Sequence, residues 1–200
     1  MKRIAFIILM SMLLTSCSGR NENYNANKKI AEMKTYKAKA EIIVYGTKED
    51  AKYLVNQYYK ADDKFRIETI EPEFLKGKIM VYNGKRCAIY HPLIDQTIEI
   101  NGDEDDNRFT NLGIIQKGVL AGEKAEYNAI KRDGMEYIQV KCIISDGNKY
   151  RKYAILYLEK EGYIPKILEI LDEKEKVVVL IKYSSFDYNC SVDDSLFKLQ

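Results

Sequence analysis

One histidine, His91, and four cysteines are the side chains in this sequence best suited to nucleophilic or metal chemistry. A zinc site needs three or four nitrogen, sulfur or oxygen ligands at workable spacing. Cys87, Cys142 and Cys190 stand far apart, and no CxxC or HExxH pattern is present. In an exported protein these three permit one disulfide and one free thiol, or no disulfide. We expect the three cysteines to be small apolar core residues and His91 to lie at the surface.

Acidic and hydroxyl side chains give no better catalytic candidate. The segment 101–107, NGDEDDN, is rich in oxygen ligands, but an EF-type calcium loop needs glycine at its sixth position, where this segment has Asp106. A solvated loop is therefore favoured over a calcium site. Ser184 and Ser185 stand near Asp187, yet the histidine is far away in the sequence and there is no nucleophile elbow. The sequence predicts a non-enzyme with no catalytic residue, metal site or cofactor.

The fourth cysteine, Cys17, stands where an apolar segment gives way to the polar run SGRNENYNAN. Lys2 and Arg3 precede the uncharged segment 4–14, which is too short to span a membrane, where about 20 apolar residues are needed. Residues 14–16, LTS, lead directly into Cys17. This arrangement resembles a bacterial lipobox, in which the cysteine is diacylated and becomes the first residue after cleavage. The alternative is an ordinary secretory peptide that happens to contain a cysteine.

Lipid attachment at Cys17 would hold the protein at the outer, extracytoplasmic face of a cell membrane. Two acyl chains such as palmitate contribute about 0.8 kcal/mol per buried CH₂, enough for a stable anchor. We therefore divide the chain into a lipoprotein signal peptide (1–16), a lipidated cysteine with a flexible tether (17–27) and one domain (28–200).

Composition limits the partners of that domain. Lys2 and Arg3 account for the formal net charge of +2, so the chain after the signal peptide is formally neutral and has no basic surplus for nucleic acid. Sixteen Tyr and no Trp, with abundant Val and Ile, favour strands over helices.

The sequence predicts that the elements that position these side chains are mostly strands. Ala38, Ala40 and Ile42 alternate with charged residues, which is the period of a half-buried strand. The segment GKIMVYNGKRCAIYHP is the clearest hairpin, because Asn83-Gly84 suits the positive φ angles of a type I′ turn. We predict a mainly β fold of about ten antiparallel strands in one curved meander sheet.

Helical segments flank and interrupt the strands. ANKKIAEMKTY precedes the first strand as a short N-terminal helix, and Leu112, Ile115 and Val119 near helical spacing predict an amphipathic helix in the middle. The terminal SVDDSLFKLQ predicts one helical turn capped by Ser191 or Asp193. We expect the helices to cover the concave face of the sheet.

The order of these motifs resembles the outer-membrane lipoprotein-carrier superfamily of LolA and LolB. A basic–aromatic strand is followed by an Asn-Gly-Lys hairpin turn, a Tyr-x-Pro element, a Gln-hydrophobic strand and a closing hairpin. The matching residues are Lys64, Phe65, Arg66, Asn83, Gly84, Lys85, Tyr90, Pro92, Gln96 to Ile100, Asp172, Asn189 and Phe197.

The resemblance covers nearly all of residues 28–199 and implies an incomplete β-barrel around a helix-plugged apolar cavity. Within the superfamily the chain is similar to the clostridial germination lipoproteins. That likeness implies a role in spore formation or germination, with the spore intermembrane space as a location. It also implies a partner, a CwlD-like N-acetylmuramoyl-L-alanine amidase. This amidase is a zinc enzyme that modifies the peptidoglycan cortex, and the lipoprotein binds and activates it.

Other interpretations stay open at the level of sequence. A lipid or lipoprotein carrier or receptor needs an open apolar cavity of several hundred Å³, whereas a binding module can fill that space with its own side chains. An anchor at Cys17 argues against a soluble shuttle. A sensor of envelope lipid is a third class. Sheet edges would also allow a homodimer by strand exchange.

Overall fold

Eleven antiparallel strands account for most of the residues that the computed structural model describes, which are 18–61, 63–101, 109–120, 125–144 and 147–198. The strands are β1 (Thr35–Val44), β2 (Ala51–Lys60), β3 (Lys64–Glu71), β4 (Ile79–Asn83), β5 (Arg86–His91), β6 (Gln96–Asn101), β7 (Glu126–Arg132), β8 (Met135–Ile143), β9 (Tyr153–Glu159), β10 (Ile164–Leu171) and β11 (Val177–Tyr188).

One curved, open sheet contains all eleven strands in the order β6-β5-β4-β3-β2-β1-β11-β10-β9-β8-β7. Each half is a meander of chain neighbours, and the halves meet where β1 pairs with β11, with Ile42 opposite Ile181. The predicted mainly β, curved antiparallel sheet is thus confirmed, as two meanders joined side by side, with β6 and β7 as its edges. The predicted alternation in β1 is also confirmed, since Ala38 and Ala40 are buried while Lys39 is exposed.

Two α-helices lie on one face of the sheet: α1 (Ser18–Ala31) and α2 (Gly113–Leu120). The second confirms the helix predicted from the spacing of Leu112, Ile115 and Val119. The first begins ten residues before the predicted start of the domain, so the structure has a helix where the sequence predicted a flexible tether. Contacts with the sheet stabilise this polar segment as a helix: Ala26 is fully buried against the core.

Short 3₁₀ helices lie at Glu73–Leu75 and Asp194–Phe197. The second is the predicted C-terminal turn. Asp193 rather than Ser191 caps it, because the Asp193 side chain accepts a hydrogen bond from the backbone N–H of Ser195 at 2.7 Å.

The hairpin predicted at Asn83-Gly84 is present, but its turn is shifted by one residue. The two residues between β4 and β5 are Gly84 and Lys85, and Gly84 alone has a positive φ, +92°. That is the pattern of a type II′ turn, not of the predicted type I′ turn. Asn83 stays in the strand, and its side-chain oxygen accepts hydrogen bonds from the N–H groups of Lys85 and Arg86.

The main core lies between the helices and the concave face, where residues from both halves of the sheet form one cluster. The convex face differs between the halves. Over β2 to β5 the C-terminal segment covers it, with Val192 and Phe197 packed against Val81. Over β8 to β10 the outward side chains pack against one another in a separate small cluster, which includes Tyr157 and Leu171.

The two ends of the sheet, the helix end and the far end, also differ. The helix end comprises the start of β1, helix α1 and the turns 84–85, 133–134 and 160–163. The far end comprises the loops 45–50, 72–78, 92–95 and 172–176. The antiparallel registers place each group of turns together.

Candidate functional site

Several sequence predictions fall outside the described residues. These are the signal peptide 1–16, lipid attachment at Cys17 and nearly all of the acidic segment 101–107, of which only residue 101 is described. Within the described ranges, no helix is long and apolar enough to cross a membrane. The lipid anchor therefore stays a prediction.

The predicted metal-type residues do not form a site. Among the described residues, no group of three or more His, Cys, Asp or Glu side chains is placed to hold a metal ion. Cys87 and Cys142 are buried, Cys190 is half-buried, and none of the three is in a disulfide. His91 ends β5 and is half-buried rather than exposed, with no hydrogen-bond partner at its Nδ1.

The two serine candidates, Ser184 and Ser185, are not placed for nucleophilic catalysis. Ser184 lies on β11 and its hydroxyl donates a hydrogen bond to the backbone oxygen of Lys39 at 3.1 Å. Ser185 and Asp187 are exposed on the same strand, while His91 lies on β5 in the other half of the sheet. The serines therefore have no histidine beside them to act as a base.

A buried polar network fixes the start of α2 onto the sheet. The Tyr36 hydroxyl donates a hydrogen bond to Gln57 Oε1 at 3.2 Å and accepts one from the Leu112 N–H at 3.2 Å. Gln57 Nε2 donates to the backbone oxygen of Thr110 at 3.0 Å. Burial raises the pKa of Tyr36, so its hydroxyl keeps its proton and can act as this donor.

A second buried side chain, Gln116 on α2, ties the two helices together. Its Nε2 donates to the backbone oxygens of Ile30 at 3.3 Å and Met33 at 2.5 Å, beside the end of α1. Its Oε1 accepts a hydrogen bond from the Tyr59 hydroxyl at 2.8 Å. The helices are thus held over the concave face by polar contacts as well as by apolar packing.

Between the two helices and strands β9 to β11 almost no space remains. The gap lined by Ile30, Met33, Leu112, Ile115 and Leu156 has a volume of about 10 Å³. That is no more than one water molecule needs. Where these residues meet, the protein's own side chains fill the space under the helices.

A larger cavity of about 220 Å³ remains over the other half of the concave face. It lies against β1 to β4, and its apolar lining includes Ile42, Val55, Ile67 and Met80. Ligand pockets for drug-sized molecules usually measure about 300–1,000 Å³. The cavity is therefore smaller than the open cavity that a carrier of whole lipids needs.

Exposed apolar side chains lie on two loops of the far end, one of which borders this cavity. Phe74, Leu93 and Ile94 are exposed by 65%, 69% and 57%, on the loops 72–78 and 92–95. These loops lie side by side, since a Cβ at Gly77 would be 3.5 Å from the Pro92 ring. Leu75 and Lys78 of the first loop line the cavity itself. Exposed apolar groups gathered in this way are typical of interaction surfaces.

Residues of the family-like motifs have structural rather than chemical roles. Asn189 has a positive φ of 50° after β11 and accepts hydrogen bonds from the Lys34 and Thr35 N–H groups. The Asp172 side chain accepts from two backbone N–H groups in the β10–β11 turn. Phe65 is buried in the core. Gln57 and Gln116, which sequence reasoning missed, carry no local signal because neither belongs to an obvious motif.

Comparison with known families gives a match over nearly the whole chain. A profile of the family described as "Sporulation protein YdcC-like" matches residues 1–197. Sporulation protein YdcC of Bacillus subtilis (strain 168) is 20% identical over 205 residues, which cover 98% of this chain. The chain spans about 60% of the length of that relative.

Solved structures of similar fold include a lipoprotein bound to an enzyme. The structure of the CwlD amidase from Clostridioides difficile in complex with the GerS lipoprotein matches with 25% identity and a TM-score of 0.52, over 87% of this chain and 98% of that chain. A putative outer membrane lipoprotein-sorting protein domain from Vibrio parahaemolyticus matches with 12% identity and a TM-score of 0.51, over 90% and 95%. A LolA superfamily protein from Nitrosomonas europaea matches with 11% identity and a TM-score of 0.50, over 92% and 99%. The predicted LolA-like fold is confirmed.

Proposed function

Since the chain belongs to the YdcC-like sporulation protein family, we propose that it is a non-enzymatic lipoprotein that binds and activates a cortex-modifying N-acetylmuramoyl-L-alanine amidase. It acts at the outer face of a cell membrane, to which Cys17 attaches it through acyl chains. The observation that carries the proposal is the likeness, over 87% of this chain, to the GerS lipoprotein solved in complex with the CwlD amidase.

The structure supports a role that depends on surface contact. The helices fill half of the concave face, and no metal-type cluster is present among the described residues. We therefore assign the function to the surface of the domain and not to its interior. Its formal neutrality after the signal peptide favours apolar and hydrogen-bonded contacts over charge attraction.

Activation follows from preferential binding to the competent state of the amidase. If the zinc site of the amidase is poorly formed alone, a partner that binds the competent conformation raises the zinc affinity. Linkage requires that zinc raises the affinity of the amidase for the lipoprotein by the same factor. The protein thereby increases amide-bond cleavage without contributing a catalytic group.

The far end provides the side chains suited to this contact. Phe74, Leu93 and Ile94 are exposed there, and apolar and aromatic anchors carry much of the binding free energy at protein interfaces. A stable complex of this kind buries about 1,200–2,000 Å² in total.

Mixing the chain from residue 18 to 200 with a CwlD-like amidase tests the proposal. We expect co-elution, a higher zinc content in the amidase and faster cleavage of peptidoglycan amide bonds, with no cleavage by this chain alone. Failure of the two proteins to bind, or peptidoglycan hydrolysis by this chain alone, would contradict it.

A matched pair of variants locates the contact. Leu93→Asp at the far end and Tyr24→Asp at the helix end alter side chains that are 69% and 66% exposed, so neither change disturbs the core. We expect Leu93→Asp to weaken binding by about tenfold or more, as loss of an anchor does, and Tyr24→Asp to leave it unchanged. The reverse pattern would move the contact to the helix end.

The cavity of about 220 Å³ favours a second candidate function, the capture of an acyl chain or lipidated peptide as a carrier or receptor. Its apolar lining suits a hydrocarbon segment, although its volume is below that of most ligand pockets. A fluorescent fatty acid and an acylated peptide test this function. Micromolar binding of either, together with no amidase binding, would replace the first proposal.

A further inference from the structure

The start of helix α1 is fixed to the body of the protein close to the candidate lipid site. The helix begins at Ser18, the residue after Cys17. Glu22 forms a salt bridge with Lys160 at 3.1 Å, and Asn25 donates a hydrogen bond to the Tyr163 hydroxyl at 3.5 Å. A helix rises about 1.5 Å per residue, so Ser18 lies only about 6 Å along the axis from Glu22.

We propose that the helix end rests on the lipid surface as a second, noncovalent contact beside the acyl chains, which fixes the orientation of the protein on the membrane. The contact consists of the first turns of α1 and the turns 133–134 and 160–163. The proposal depends on lipid attachment at Cys17, which belongs to the proposed function. A flexible tether would allow any orientation, whereas a helix fixed to the sheet allows few.

The side chains exposed at this corner suit the membrane–water interface. Tyr24, Met135 and Ile164 are exposed by 66%, 49% and 38%. They lie on the three segments that the Glu22–Lys160 salt bridge and a Lys160–Glu136 salt bridge of 3.3 Å bring together. Tyrosine has an apolar ring and a polar hydroxyl, and is enriched at the headgroup level.

The lysines at this corner are paired within the protein, and the carboxylates outnumber them. Lys160 is shared by Glu22 and Glu136, and Lys166 pairs with Glu159 at 3.1 Å. Asp133 and Glu161 are exposed in the turns and would stay in water. A shallow contact made by apolar groups therefore fits better than electrostatic attraction to anionic lipid, so we expect little dependence on salt.

This orientation turns the far end away from the membrane. β1 has 10 residues and connects the two ends. A strand extends about 3.3 Å per residue, so the two ends lie about 30 Å apart along this strand. The exposed apolar side chains of the far end then face the space in which a soluble partner moves.

The absence of tryptophan from the chain makes a direct test available. Single tryptophans are placed at Tyr24→Trp and Met135→Trp on the helix end, and at Phe74→Trp and Leu93→Trp on the far end. The acylated full chain is reconstituted into vesicles of phosphatidylethanolamine and phosphatidylglycerol with brominated acyl chains, which quench nearby tryptophan. All four positions are exposed, so the variants should fold, which circular dichroism checks.

We expect quenching of about twofold at the two helix-end positions, unchanged by added salt, and almost none at the far-end positions. Equal quenching at both ends, or none at either end in vesicle-bound protein, would overturn the orientation while leaving the anchor intact. Vesicle flotation measures the anchor separately, with Cys17→Ser as the control. An acylated chain that does not float would instead refute the lipid anchor, and with it the premise of the orientation.

Discussion

The two halves of the concave face are built from the same kind of strand but are filled to different degrees. Over β9 to β11 the helices leave a gap of about 10 Å³, whereas over β1 to β4 a cavity of about 220 Å³ remains. The helices explain the difference, because Ile30 and Ile115 point into the filled half and Gln116 fixes both helices in place. The concave face therefore has a tightly packed region under the helices and a region with an apolar cavity.

Helix α2 also separates these two environments. Thr110, three residues before the helix begins, lines the cavity, while Leu112 and Ile115 line the filled gap. Tyr36 and Gln57 fix this segment by hydrogen bonds at the boundary. A truncated side chain in the filled half should therefore lower the free energy of unfolding more than a truncated side chain at the cavity.

The largest expected effect is that of Ile115→Ala in the filled half. Ile115 is fully buried, and the network at Gln116 prevents the helices from closing the space. We expect a loss of about 2–5 kcal/mol in the free energy of unfolding, measured by urea denaturation. The matched change in the other half is Met80→Ala, which enlarges an existing cavity and should cost less. Equal losses for the two variants would mean that the halves are packed alike.

Gln116→Leu should have the next largest effect, about 1–3 kcal/mol, because it removes the buried hydrogen bonds of Gln116 to the backbone oxygen of Met33 and from the Tyr59 hydroxyl. Urea denaturation measures the loss, and hydrogen exchange should show faster opening of α1. The control is Lys117→Ala on the next residue, an exposed side chain whose ion pair with Asp63 should contribute little. A loss no greater than that of the control would show that apolar packing alone holds the helices.

Ala26→Leu tests whether α1 has any space beneath it. Ala26 is fully buried in the cluster that includes Ile30. Adding a larger side chain there should cost about 1–3 kcal/mol in thermal or chemical unfolding. A variant as stable as the wild type would show that α1 lifts easily from the sheet, which would restore the predicted tether.

The smallest effect is expected for Val44→Leu in the open half. Val44 is half-buried and lines the cavity, which has room for one more methylene group. We expect the free energy of unfolding to change by less than about 0.5 kcal/mol. A loss as large as that of Ala26→Leu would show that the cavity is not available to larger side chains.

Local sequence patterns predicted the elements whose stability depends on near neighbours. Alternation identified β1, the Asn-Gly pair identified the β4–β5 hairpin, and apolar spacing identified α2. The exact turn type escaped prediction, because Asn83 could serve either as a turn residue or as the last strand residue, and only the register decides.

Features that depend on distant contacts were beyond the sequence. The polar segment 18–27 has the composition of a tether, and becomes helical through contacts with Lys160 and Tyr163. Gln57 and Gln116 are polar residues whose burial is visible only when their partners, tens of residues away, are in place. The cavity is the small space left between large packed volumes, so no local pattern could report it.

The pairing of β1 with β11 has a consequence for the order of folding. The Lys34 N–H and the Asn189 side chain, which meet beside this pair, are 155 residues apart in the chain. Each half of the sheet can form by closing short hairpins, but the central seam needs nearly the whole chain. Contacts between distant residues form late because closing long loops costs conformational entropy. The β strands on either side of the seam therefore stay unpaired along one edge until the last strand has been synthesised, and this interval is when the chain is most exposed to aggregation.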